Sequence, residues 1–167
     1  MIQLIAACIG GILTLAGMFF SAKASQRVDE KRLQRERCEA LYKQFSRWSL
    51  SVSIAHLMLP EVMRGNLSFN DYWSNAAKPD PRMDEVDHIQ IEMLVFAYFP
   101  ELINAFKENK RLLTEHNAVI TSFRQTYDAR GDGTQFIVPF INAAQAFEQQ
   151  SEKFKEEIIV LLRKHTS

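Results

Sequence analysis

The run IQLIAACIGGILTLAGMFF, from Ile2 to Phe20, sets nineteen residues side by side without a formal charge. As a helix rising about 1.5 Å per residue it measures roughly 29 Å, close to the roughly 30 Å of a bilayer's hydrocarbon core. It stops abruptly at the charged segment Ser21 to Arg37, SAKASQRVDEKRLQRER. The expectation is therefore a single transmembrane helix. A cleaved signal peptide is the rival reading, and Ala22-Lys23-Ala24 even offers an A-x-A-like site. No Lys or Arg precedes the apolar run, however, and it is longer than a signal h-region of about 7–15 residues. Ile5-Ala6-Ala7-Cys8 resembles a lipoprotein box only loosely. A retained signal-anchor is the preferred reading.

Orientation follows from the flanks. Lys23, Arg27, Lys31, Arg32, Arg35 and Arg37 all follow the span, and none precedes it. The positive-inside rule predicts a single-pass protein with its N-terminus out and its C-terminal region in the cytoplasm, at the inner membrane if the cell is bacterial. Lys23, Arg27, Lys31 and Arg32 are the candidate contacts to lipid headgroups. Within the span, Ala6, Gly10 and Thr14 repeat every four residues, with Ala7 and Gly11 beside them. Small residues at that spacing let two helices approach closely and form a candidate packing face.

The rest of the chain has helical periodicity. No Gly or Pro interrupts Ala22 to Leu59, so one helix can run from the membrane through that stretch. Its first part is polar on every side and is expected to be a solvated stalk. Leu41, Phe45, Trp48, Val52, Ala55 and Leu59 then step by three and four, the seam of a packed helix beginning near Cys38. Pro60 to Arg82 is a break, with a short helix expected over Ser68 to Ala77, capped by Ser68 or Asn70, and Phe69, Tyr72 and Trp73 folding back on the core. The next helix is expected to start near Met83. Its predicted seam is Val86, Ile89, Met93, Phe96 and Pro100. From Met93 to Phe99 it is apolar all round, as in a central helix or one with a partner on its second face. Pro100 should kink or restart it. Beyond it, Phe106, Leu113, Ile120 and Tyr127 form one seam, and Leu102, Asn109, His116 and Phe123 a companion. The segment ARGDGT, Ala129 to Thr134, is a turn. The last helix carries the seam Phe140, Ala144, Phe147, Ser151, Phe154, Ile158 and Leu161.

The predicted fold class is thus all-α: a transmembrane anchor over 1–20, a polar helical stalk over 21–37, and a cytoplasmic bundle of about four antiparallel helices over 38–167.

Few function classes survive the search for chemistry. Lys plus Arg is 20 and Asp plus Glu is 20. The basic excess is confined to residues 21–64, beside the membrane, so nucleic acid is not an expected partner. There is no phosphate-binding Gly-rich loop, no nucleophile elbow and no HExxH. Glu85 and His88 have E-x-x-H spacing, but the second such motif of a di-iron bundle is missing, so an acidic helix start is the better reading. Cys38 follows Arg37 but begins a packing seam, and His56 lies beside one. No catalytic residue, metal, cofactor or small-molecule substrate is expected. The function this leaves is a membrane-anchored protein-interaction module, an adaptor, anchor or regulatory subunit that binds a protein partner or itself. The alternative is an oligomerising single-span effector or pore-forming protein built on the small-residue face.

Overall fold

A computed structural model describes residues 2–76 and 87–166, with the side chains of 2–17, 20, 75, 76, 165 and 166 outside that description. Helix is the only regular structure among the described residues, as the periodicities predict. The absence of Gly and Pro after the apolar run has a large consequence. Helix α1 runs without a break from Ile2 to His56, 55 residues, or about 82 Å. Residues 21–33 are exposed all round. At Cys38 the same helix acquires a buried stripe, continued by Leu41, Phe45 and Trp48.

Two short helices, α2 (Leu59–Met63) and α3 (Phe69–Ala76), fill the Pro60–Arg82 break. The predicted Ser68 cap is present: its Oγ accepts from the Asp71 amide at 3.1 Å. Tyr72 Oη donates to the Ala55 carbonyl at 2.7 Å, and Tyr127 Oη accepts from the Phe69 amide at 3.2 Å. Phe69 and Tyr72 fold back as expected, whereas Trp73 does not and is 50% exposed. With Phe69 inward on an eight-residue helix, Trp73 falls on its outer side.

Helix α4 (His88–Tyr98) starts later than the sequence suggests. Asp87 has extended backbone and its carboxylate accepts from the Gln90 amide at 3.0 Å, so it caps the helix instead of lying inside it. Residues 83–86 of the expected start lie outside the described residues. Pro100 restarts the chain through a 3₁₀ turn (Pro100–Leu102), and α5 (Ile103–Asp128) leaves at 112° to α4. The ARGDGT turn follows, with Arg130 at φ 57°. A second 3₁₀ turn (Thr134–Phe136) leads into α6 (Ile137–Thr166).

Helix α6, not α4, is the central helix, packing along both α1 and α5. Every member of its predicted seam is buried except Ala144, which is partly so. The aromatic heart joins three helices: Phe45 and Trp48 of α1, Phe106 of α5, Phe147 and Phe154 of α6. The Phe45 and Phe154 rings lie 4.4 Å apart, and Trp48 meets Phe147 edge-on at 5.7 Å. A second apolar cluster seals the far end, with Leu59, Val62 and Met63 of α2 against Phe69, Phe123 and Phe140. Among the described residues the bundle is therefore built on three long helices, α1, α5 and α6, with the shorter α4 packed along α1.

Among the described residues, which leave out the side chains of 2–17 and 20, no single helix is long and apolar enough to cross a membrane; α4 and α5 together meet that measure only as a bent pair, by length and composition. The side chains of Ala6, Ala7, Gly10, Gly11 and Thr14 lie outside the described residues.

Candidate functional site

Helix α4 is pinned antiparallel along α1 at both ends. The Asp87 amide donates to Gln44 Oε1 at 3.3 Å. The His88 ring stands edge-on to Trp48 at 5.9 Å. At the other end the Arg37 guanidinium lies over the Tyr98 ring at 3.8 Å. These contacts turn Ile91, Leu94, Val95 and Phe99 inward.

This overturns the predicted seam. Ile89 is 81% exposed, Met93 50% and Phe96 46%. The physical reason lies at the corner. Pro100 ends the helix, and Phe99, 1% exposed, must be buried there. That choice rotates the regular three-four stripe outward. What remains is an apolar stripe of Ile89, Met93 and Phe96 on a rigid helix, backed by an edge-on contact of Phe96 with Phe106 at 6.2 Å. Beside it, the splay between α4 and α5 opens a cleft of about 280 Å³, floored by Trp48, Ile91, Phe106 and Leu113. Lys110 Nζ reaches Glu92 at 2.6 Å across the cleft. An exposed apolar stripe thus lies next to a shallow, largely apolar cleft. His88, Thr114 and Asn117 complete its lining.

The remaining sequence-predicted residues are spread over the molecule. Lys23, Arg27 and Lys31 are exposed on the stalk, and Arg32 lies 3.9 Å from Asp29 and 3.7 Å from Glu36. Glu85 lies outside the described residues, and no three His, Cys, Asp or Glu side chains converge on a metal position among the described ones. Cys38 is fully buried, and burial first, then Glu101 and Glu39, pushes its thiol up to about 11.

The companion seam of α5 holds two buried polar groups with opposite solutions. Asn109 Nδ2 donates to the Ala105 carbonyl at 3.1 Å, and its Oδ1 accepts from Ser151 Oγ at 3.0 Å, tying α5 to α6. Neither ring nitrogen of His116 has a hydrogen-bond partner among the described residues. Its ring lies 4.7 Å from that of His56 on α1 and 4.7 Å from Phe140 on α6. The two imidazoles line a cleft of about 260 Å³ with Leu57, Pro60 and Glu148. Burial holds the His56 pKa below its usual value, and burial together with His56 lowers that of His116 to about 4. Sequence spacing placed Asn109 and His116 at an interface but not their partners, which come from helices far away in the chain.

Comparison with family models, with curated proteins and with solved structures finds no match to this chain.

Proposed function

We propose that this chain is a single-pass, membrane-anchored interaction module: Ile2 to Phe20 crosses the bilayer, the stalk stands in the cytoplasm, and α4 offers the docking face. One observation supports the interaction reading above the others. The stripe Ile89, Met93 and Phe96 is solvent-exposed on a helix pinned at both ends. Apolar side chains at three-four spacing on a rigid helix fit a helical partner.

The length of α1 gives the anchor its mechanical role. Cys38, where packing begins, lies about 27 Å beyond Phe20 along the helix. The bundle is thereby held clear of the headgroups and α4 is free to meet a partner. Lys23 and Arg27 fall within about 10 Å of the end of the span, near the Debye length of roughly 8 Å at physiological salt. Lys31 and Arg32 stand about 16 to 18 Å away, so lipid attraction falls mainly to the first two.

The test combines extraction and crosslinking in cells. The full chain should stay with the membrane through alkaline carbonate washing. A photo-crosslinker at Met93 should capture a defined protein, heterologous or a second copy, and Ile89→Glu should cut that capture at least tenfold. Carbonate release would sink the anchor; crosslinking indifferent to Ile89→Glu would sink the docking face.

A further inference from the structure

We infer that the occupant of the α4 stripe is the same stripe on a second copy of this chain, paired parallel and in register; this rests on the anchored reading above. Three observations converge, and the anchored reading adds a fourth argument. Ile89, Met93 and Phe96 step by four and then three, the seam spacing of a two-stranded coiled coil. The seam holds no charge, so it is complementary to itself under a two-fold axis. The positions flanking it are compatible with that pairing. In a parallel pair Glu92 falls opposite the partner's Ala97, and Glu92 is already held by Lys110 at 2.6 Å. No like charges therefore meet across the seam among the described residues. Finally, copies anchored through the same end in one membrane carry their α4 helices in the same direction and at the same height.

Size decides where the pairing occurs. Eleven residues of helix cannot bury the roughly 1,200 Å² expected of a stable free interface. Confinement to one membrane supplies the missing term, because it raises effective concentration and removes most orientations, as a tether does. The inference is thus a contact that forms on the membrane and not in dilute detergent.

Disulfide trapping in intact membranes tests it. The full chain carrying Cys8→Ser retains Cys38, which is buried. Met93→Cys or Ile89→Cys added to it should form a self-dimer at least ten times faster than Val160→Cys, whose position on α6 is 63% exposed. Ile89→Glu combined with Met93→Cys should lose the dimer while keeping its helical circular dichroism. Equal rates at Met93 and Val160 would overturn the inference, and so would Met93→Cys pairing only with another protein. Chain recovered in the soluble fraction after carbonate washing would overturn the anchored reading, and with it the common orientation that the pairing needs. Membrane-held chain whose Met93→Cys does not dimerise would overturn the pairing alone.

Discussion

Acidification should weaken the fold through His116, and its surroundings set the size of the effect. The residue is 2% exposed, and burial, followed by the nearby His56, takes its pKa from 6.5 to about 4. The folded chain thus keeps the neutral ring, while the unfolded chain takes up a proton near pH 6.5. Because the folded value is the lower one, the penalty is absent above about pH 7 and grows as pH falls from about 6.5 towards 4. At pH 5 it amounts to about 2 kcal/mol, a factor of roughly 30 in the unfolding equilibrium, and it approaches about 3 kcal/mol at lower pH. Other groups also respond to acid. Asn66 and Arg64 hold the Glu61 carboxyl below its usual range, Arg111 does so for Glu108, and Thr134 for Asp132. Their losses come at lower pH and are shared by any variant at position 116. Urea unfolding of the full chain in neutral detergent, followed by tryptophan fluorescence at pH 7.5 and 5.0, isolates the histidine. Wild type should lose about 2 kcal/mol more than His116→Leu between those two values. Equal losses in the two proteins would refute the reasoning, since His56, whose pKa burial also lowers, and the carboxylates would then account for the whole effect.

Four further outcomes follow from the packing, each measurable on the full chain. Phe154→Ala removes the ring that meets both Phe45 and Phe106, and should cost about 3–5 kcal/mol in urea unfolding. Gly133→Ala would set a methyl 2.7 Å from the Met63 carbonyl oxygen and 2.7 Å from the Phe123 ring, and should lower stability by about 1–3 kcal/mol. Arg130→Gly relieves a left-handed backbone at φ 57°, and thermal unfolding should show a gain of up to about 1 kcal/mol. With Cys8 replaced by Ser, the buried Cys38 thiol should resist iodoacetamide at pH 8 until urea unfolds the bundle.

The sequence made some parts of this fold legible and hid others for identifiable reasons. Helices α1 and α6 carry one apolar stripe each, and so the seams beginning at Cys38 and Phe140 name the buried residues almost one for one. The Ser68 cap and the ARGDGT turn are local chemistry and were equally readable. Helix α4 is different. With apolar residues all round, periodicity cannot choose between its two faces, and the regular Ile89–Met93–Phe96 stripe pointed to the wrong one. The choice is made by Phe99 at the Pro100 corner and by Trp48 and Arg37 on α1, which are tertiary contacts. The same limit explains the histidines. The α5 seam located His116, but its pairing with His56 depends on how α1 ends beside α5. The exposed face of α4 was therefore visible as a surplus of apolar residues, and its direction was not.

The continuity of α1 links the two proposed contacts and makes them compete. Packed helix axes lie about 8–10 Å apart. If α4 meets α4 of a second copy, each α1 stands one further helix behind it, and the two α1 axes are separated by up to roughly 30 Å. Close packing of spans through Ala6, Gly10 and Thr14 needs their axes within a single interhelical distance. Since no Gly or Pro interrupts α1 from Ala22 to His56, the helix has no hinge there to reconcile the two. One pair of chains whose α1 helices run parallel can therefore use the α4 contact or the span contact, but not both; making both requires the straight helices to cross at the span, where a crossing of about 40° carries them roughly 35 Å apart about 51 Å further on. Leu substitutions at Gly10 and Gly11 should accordingly leave Met93→Cys trapping unchanged. A loss of trapping in that variant would mean that the two contacts are made together, by α1 helices that cross at the span or bend between the membrane and the bundle.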